Sequence, residues 1–409
     1  MLVNRAKKYL KGFIRPGKYI LYVFFASIVF AACIEKFDPN LSDYDNLLVI
    51  QGSIIKNDSL QTVEISRSSP MKDPQIIPVT GCYVVAEDKL GNEFVYRESN
   101  KSGEYYVHIP EEYMNYNSEF RLHVVTSDKK RYVSDYDAIL ESSPIDSIYF
   151  EESSYQSSSE YFPNGLQFFA DLKAPDENTK NYRWLLQETY EYHSPYTIGA
   201  IYAKHLDSIF SPYAAAENFP EVKIPAPLDT LTKCWVISNV KGLYSASTQN
   251  LMTNQKKKIP LNYIDETNPK LNIRYSLLVK QYALTESSYE YWNRNKVESS
   301  ESGGLYQTQP SQSKSNFRNT EDPDEVVLGY FYASSYTEKR IFYDGPFHVP
   351  SYSFYHCRPD TFDVLFHDRD FVKLFDIDEN PMKVLWATAD DVCFNCTLYL
   401  GTNVKPEYW

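Results

Sequence analysis

Six cysteines, seven histidines and 54 acidic residues are the groups in this 409-residue chain best equipped for chemistry. One cysteine stands apart, because Cys33 closes the run Phe30-Ala31-Ala32-Cys33. The others are Cys82, Cys234, Cys357, Cys393 and Cys396. Cys393 and Cys396 have the spacing of a redox pair, of half a zinc site, or of two partners for separate disulfides. A structural zinc needs four ligands, and there is no second Cys-x-x-Cys, so it would have to recruit Cys357 with His356 or His367. In an exported chain thiols meet oxidising conditions, which puts disulfides first. Cys234, Cys357, Cys393 and Cys396 are the disulfide candidates, and spacing leaves their pairing open. Five thiols cannot all pair. Cys82, inside the apolar Cys82-Tyr83-Val84-Val85-Ala86, reads as a buried free thiol.

The densest polar group is His348, His356, Cys357, His367, Asp368 and Asp370. Such residues serve as metal ligands, but far more often as hydrogen-bonded surface groups, so no metal and no cofactor are expected. The chain has no Gly-x-Ser-x-Gly elbow, no phosphate-binding glycine loop and no His-Glu-x-x-His helix. Two carboxylates would suffice for glycoside hydrolysis, but only at a separation that sequence does not supply. No catalytic residue is assigned, and a non-enzymatic role is expected, with a hydrolase as the minor reading.

The N-terminus reads as an address. Arg5, Lys7, Lys8, Lys11, Arg15 and Lys18 precede the apolar run Tyr19–Ala32, which is too short to span the hydrocarbon core comfortably. Small residues before a cysteine suit the lipoprotein signal peptidase. Residues 1–32 are therefore expected to be a lipoprotein signal peptide, Cys33 the lipidated residue and 33–45 a polar tether. Acyl chains hold such a protein at a membrane because each buried methylene contributes about 0.8 kcal/mol. Formal net charge is −13 overall, and those first 32 residues hold six basic groups and no acid, so the body is more acidic still. A chain of that charge lacks the basic footprint that nucleic-acid binding requires.

The elements that must position any site are strands. With 36 Tyr and 23 Phe but only 14 Gly, the composition predicts a mainly β fold. Short β-rich runs separated by turns (Leu47–Ile50, Thr62–Ile65, Cys82–Ala86, Phe94–Tyr96, Tyr105–Val107, Phe120–Val124) predict an immunoglobulin- or transthyretin-like sandwich over 46–140. A larger β-rich domain with long loops and one or two short helices is expected over 141–409. Its predicted strands include Tyr182–Glu191, Cys234–Ile237, Leu271–Tyr282, Val326–Ala333 and Asp363–Leu365. A helix capped by Thr285 is predicted over Thr285–Lys296, with Tyr289, Trp292 and Lys296 on one side. Ser194–Pro227 and Ser299–Asn319 read as long loops, the kind of segment that often binds or docks. Tyr and Trp stack on sugar rings and peptide side chains as readily as they pack in sheets. Tyr190, Tyr192, Tyr196, Tyr289, Tyr291, Trp292 and the terminal Trp409 are the candidates for such a surface.

Several pieces, in order, resemble the domain of unknown function 4249 family. They are Cys33-Ile34-Glu35-Lys36-Phe37-Asp38-Pro39, Val49-Ile50-Gln51-Gly52, Pro144-Ile145-Asp146-Ser147-Ile148 and Tyr182-Arg183-Trp184 through Glu188-Thr189-Tyr190-Glu191-Tyr192. Cys234-Trp235, Tyr289-Glu290-Tyr291-Trp292 and Gly304-Leu305-Tyr306 follow, and then the most specific run, Glu325-Val326-Val327-Leu328-Gly329-Tyr330-Phe331-Tyr332-Ala333-Ser334. Cys393-x-x-Cys396 and Lys405-Pro406-Glu407-Tyr408-Trp409 close the match. The chain departs from the family around the terminal cysteines, where Phe394-Asn395 and Thr397 replace the usual Asp and Arg. The resemblance implies an outer-membrane lipoprotein of Bacteroidota, anchored by lipid and facing the cell exterior. Such proteins are commonly encoded beside TonB-dependent receptors, so the resemblance implies an accessory subunit for glycan or peptide capture. The alternative is a structural or assembly subunit of an envelope complex without a ligand of its own.

Overall fold

A computed structural model describes residues 46–69, 75–154, 164–175, 178–211, 231–301, 314–347, 357–363, 368–377, 384–398 and 401–409. The expected signal peptide, Cys33 and the tether lie outside the described residues, as do His348, His356 and His367. The fold is mainly β, as the composition predicts.

The strand Val327–Asp344 organises the molecule. Alternate residues of a strand face opposite sides of its sheet, and here the odd positions other than the exposed Lys339 meet packed interior. Val327, Phe331 and Ala333 enter one apolar core, while Ile341 and Tyr343 pack on another. Between them, Ser335 Oγ donates to the Leu140 carbonyl at 2.7 Å and Thr337 Oγ1 to the Ser143 carbonyl at 2.8 Å. The link from the first body to the second thus runs along this strand's odd face, where the Leu140 and Ser143 carbonyls and the Ser142 N–H find side-chain partners.

The first half of the strand pairs in parallel with Leu48–Lys56, the sole parallel pairing among the described strands. The second half pairs antiparallel with Arg274–Ala283. The result is a ten-stranded sheet continuous from Lys233–Asn239 through Asn181–His193, Arg274–Ala283, Val327–Asp344, Leu48–Lys56, Gln61–Arg67 and Glu104–Val107 to Arg97–Glu98. A six-stranded sheet built on Tyr83–Asp88, Glu119–Val125 and Arg131–Ser134 covers one end. The core between contains Ile50, Ile54, Val63, Ile65, Val84, Phe120, Leu122 and Val124. Phe317–Asn319 adds an edge strand to that smaller sheet by pairing with Arg131–Ser134, and Phe317 joins the core. Residues 314–335 therefore complete a body whose other strands all lie before residue 140. At the other end a three-stranded sheet (Ser147–Ser154, Asn164–Lys173, Gln255–Asp265) packs Leu166, Phe168 and Leu261 against Trp184, Tyr275 and Leu277.

The predicted helix forms over Glu286–Glu301, five residues longer than its predicted end. Thr285 Oγ1 accepts from the Ser288 N–H at 3.4 Å and donates to Asp137. Asp137, 4% exposed, also accepts from Ser288 Oγ at 2.7 Å and the Ala333 N–H at 3.0 Å. Burial pushes its carboxyl above the usual range even against these bonds.

Two expectations about loops are corrected. The Ser299–Asn319 stretch begins inside the helix and ends in the Phe317–Asn319 strand; 302–313 lies outside the described residues. Ser194–Pro227 contains the strands Ala200–Ala203 and Ser208–Phe210. These join Phe371–Asp376, Trp386–Thr388 and Asp360–Thr361 in a five-stranded sheet. Within the predicted strand Asp363–Leu365, Asp363 is irregular and the other two residues lie outside the described ones.

Candidate ligand-binding site

Even-numbered residues of Val327–Asp344 face away from both cores. Tyr330 and Tyr332 stand there beside Gln51 and Ser53, their register partners on Leu48–Lys56. The next strand continues the face with Thr62 and Glu64. On the opposite side the same face carries Arg183 and Leu185 from Asn181–His193, whose even members Tyr182, Trp184 and Leu186 fill the core. The helix Glu286–Glu301 crosses this face. Tyr291 stacks on Tyr330 with ring centres 4.4 Å apart, and Trp292 meets Tyr332 edge-on at 6.0 Å. Tyr289, Tyr291 and Trp292 thus join a cluster with Ile55, Tyr282, Leu284 and Tyr336.

Where the helix and the strands diverge, a cavity of about 240 Å³ opens, lined by Gln51, Ser53, Thr62, Glu64, Arg183, Trp292, Tyr330 and Tyr332 among others. Arg183 is its distinctive wall residue. It is 8% exposed, and its guanidinium carbon sits 3.4 Å from the centre of the Trp292 indole. No carboxylate among the described residues forms an ion pair with it. Burial lowers its pKa from the ordinary value, opposed by Tyr332, Tyr282 and Tyr291 and by the hydrogen bond Arg183 donates to the Tyr332 hydroxyl oxygen. A buried cation without a counter-charge is costly, and stacking on an aromatic face recovers only part of that cost. The Trp292 indole N–H is also buried without an acceptor. Glu64, the acid in the wall, is exposed and held by Lys101 at 3.0 Å. A larger cavity, about 550 Å³, lies among the loops at Asp88–Asn92 and Glu112–Glu119. Its buried acid, Asp88, is already bonded to the Leu90 and Asn92 amides.

The remaining aromatic candidates are placed elsewhere. Tyr190 and Tyr192 are buried in the main core, their rings packed against its interior and not offered as a stacking surface. Tyr196 stacks on Phe375 at 3.8 Å and donates to the Cys357 carbonyl at 2.9 Å. Trp409 is clasped within the chain. Its indole N–H donates to Glu191 at 3.1 Å, its ring meets Phe342 edge-on at 5.9 Å, and the Tyr408 hydroxyl lies 2.8 Å from Thr189 Oγ1. Of the seven aromatic candidates Trp292 alone lines the cavity, with Tyr289 and Tyr291 in the cluster beside it; Arg183, Gln51, Tyr330 and Tyr332 were not among the expected site residues. The available signal was alternation: positions 183 and 185, or 330 and 332, lie on the face opposite the apolar positions of their strands.

Two disulfides form, Cys234–Cys396 and Cys357–Cys393. The close pair 393 and 396 is therefore split, each thiol bound to a distant partner. Neither a dithiol redox couple nor a zinc half-site survives that pairing, and Cys357 is no longer a metal ligand. Cys82 is free, as expected, though half-buried. Desolvation raises its pKa, against a hydrogen bond with Tyr105, which leaves it a poor nucleophile.

A family model described as Domain of unknown function (DUF4249) matches residues 34–340. No curated protein matches the chain.

Proposed function

The chain belongs to the DUF4249 family, and from that premise we propose that it is an outer-membrane lipoprotein, anchored through Cys33 and facing the exterior. In this reading it serves as accessory subunit to a TonB-dependent receptor and captures a nutrient, a glycan or a peptide, for uptake. The observation that carries the capture role is the cavity on the open sheet face, where Arg183 stands buried without a counter-ion beside Trp292. Burying a cation without a counter-charge costs stability that a ligand's negative charge would offset. The two disulfides support an oxidising, exported location. The sequence Phe30-Ala31-Ala32-Cys33 supports the anchor.

The test is affinity purification of the tagged lipoprotein from detergent-solubilised outer membranes, with mass spectrometry of its companions. A stoichiometric TonB-dependent receptor is the expected result. Repeated recovery alone, or with assembly machinery only, defeats the uptake reading.

A further inference from the structure

We infer that the Arg183 cavity is a carboxylate-binding site, taking the acid end of one sugar-acid ring or of one C-terminal amino-acid residue. The inference rests on the reading of this face as a capture surface and names the chemistry captured.

The charge comes first. Arg183 is the cation lining the cavity, and Glu64, the acid in the same wall, is taken by Lys101 at 3.0 Å. A single uncompensated positive charge matches a monoanion better than a doubly charged phosphate. Geometry points the same way. Stacking at 3.4 Å on Trp292 fixes the guanidinium plane, so its in-plane donors are oriented before any ligand arrives. A planar fork of N–H donors suits the two oxygens of a carboxylate. The Trp292 N–H is a further buried donor without an acceptor. Size and lining set the rest. About 240 Å³ is less than the roughly 300–1,000 Å³ of sites that enclose drug-sized ligands. It holds one ring or one residue, with the remainder outside. Gln51, Ser53 and Thr62 supply amide and hydroxyl partners on one side, while Tyr330 and Tyr332 supply aromatic surface on the other. An amphipathic body with an acid end fits that division.

The test uses the full-length lipoprotein in detergent and calorimetric titration with galacturonate, galactose, trialanine, C-terminally amidated trialanine and inorganic phosphate. At least one acid is expected to bind, with its neutral counterpart at least about tenfold weaker, the size of a charge-assisted hydrogen bond. Galacturonate or trialanine identifies the source of the carboxylate. Arg183→Met should abolish the acid preference and Arg183→Lys should keep part of it. If Arg183→Met does not fold, Thr62→Trp, from an exposed strand position, blocks the cavity without touching the arginine and should abolish binding. Failure of both acids to bind, equal binding in Arg183→Met, or tighter binding of phosphate overturns the inference. Binding of the neutral compounds alone overturns it while leaving the capture reading standing. No binding together with no receptor on purification removes both.

Discussion

Arg183 and Trp292 come from the strand next to the edge of the large sheet and from the helix that crosses it, yet they meet at 3.4 Å and hold one another in place. The indole offers the guanidinium an electron-rich face, and the guanidinium fixes the helix over the sheet. Around them Tyr291 stacks on Tyr330 at 4.4 Å. Truncating Trp292 should therefore loosen the helix as well as open the cavity. Trp292→Ala is expected to destabilise by about 2–4 kcal/mol, towards the lower part of the large-to-small range because the ring is half-buried. Trp292→Phe should retain more than half of that. Denaturant unfolding monitored by circular dichroism checks both; a loss below about 0.5 kcal/mol for the alanine variant would show that the helix does not depend on this contact.

The disulfides make a second prediction through their interleaving. Cys396 reaches back across 162 residues to Cys234, on the edge strand of the large sheet, while Cys393 closes a 36-residue loop to Cys357. Together they tie the five-stranded sheet to the main body. Removing either bridge by paired Cys→Ala substitution should cost about 2–5 kcal/mol, with 234–396 costing more because its loop is longer. Peptide mapping without reduction should recover the 234–396 and 357–393 cross-links and leave Cys82 unpaired. A 393–396 cross-link would contradict this arrangement.

The features that sequence reading missed share a physical cause. Short, alternating strands such as Phe120–Val124 are readable because one face is buried and the other is wet. The Val326–Ala333 prediction found the start of the long strand but stopped ten or so residues early. Beyond Ala333 the strand exchanges apolar for hydroxyl-bearing residues: Ser334, Ser335 and Thr337 donate to carbonyls remote in sequence, and Tyr336 donates to the Asp58 carboxylate. Pairing between Leu48–Lys56 and Val327–Asp344 is likewise a long-range fact that no local pattern encodes. The candidate site was half legible. Tyr289, Tyr291 and Trp292 lie close together on one helix, whereas Arg183 becomes significant only once four strands have set it beside that helix without an acid.

Gly329 gives a third prediction, because its backbone lies at φ +89° where the parallel pairing brings the Ile50 carbonyl against it. A Cβ there would collide with that oxygen and also adopt a conformation that L side chains avoid. Gly91, at φ +87°, has the same backbone conformation with open space around it. Gly91→Ala should therefore cost only about 1 kcal/mol, the conformational part alone, and Gly329→Ala clearly more, because the Ile50 carbonyl must shift or the parallel pairing must open. Comparing the two melting transitions separates collision from conformation. Equal losses would mean that the long strand yields easily at this point.

Glu325 sets the acid limit of the tie between the first body and residues 314–335. It accepts from Lys130 at 2.9 Å and from the Tyr132 hydroxyl at 3.1 Å, and it is bonded by the Asn319 amide. Desolvation works to raise its pKa, but these three partners outweigh it and hold the carboxyl below its ordinary 4.5. A carboxyl whose folded value is depressed binds fewer protons in the native state than in the unfolded one. Its stabilisation is therefore complete above pH 4.5 and disappears as pH falls through the lowered folded value. Because the group is partly exposed, the amount is about 1 kcal/mol or less. Glu325→Gln should be less stable than the parent at pH 7, with the difference closing as the solution is acidified below 4.5. Equilibrium unfolding of both proteins across pH 3–7 measures this directly, and a difference that widened on acidification would reverse the assigned sign.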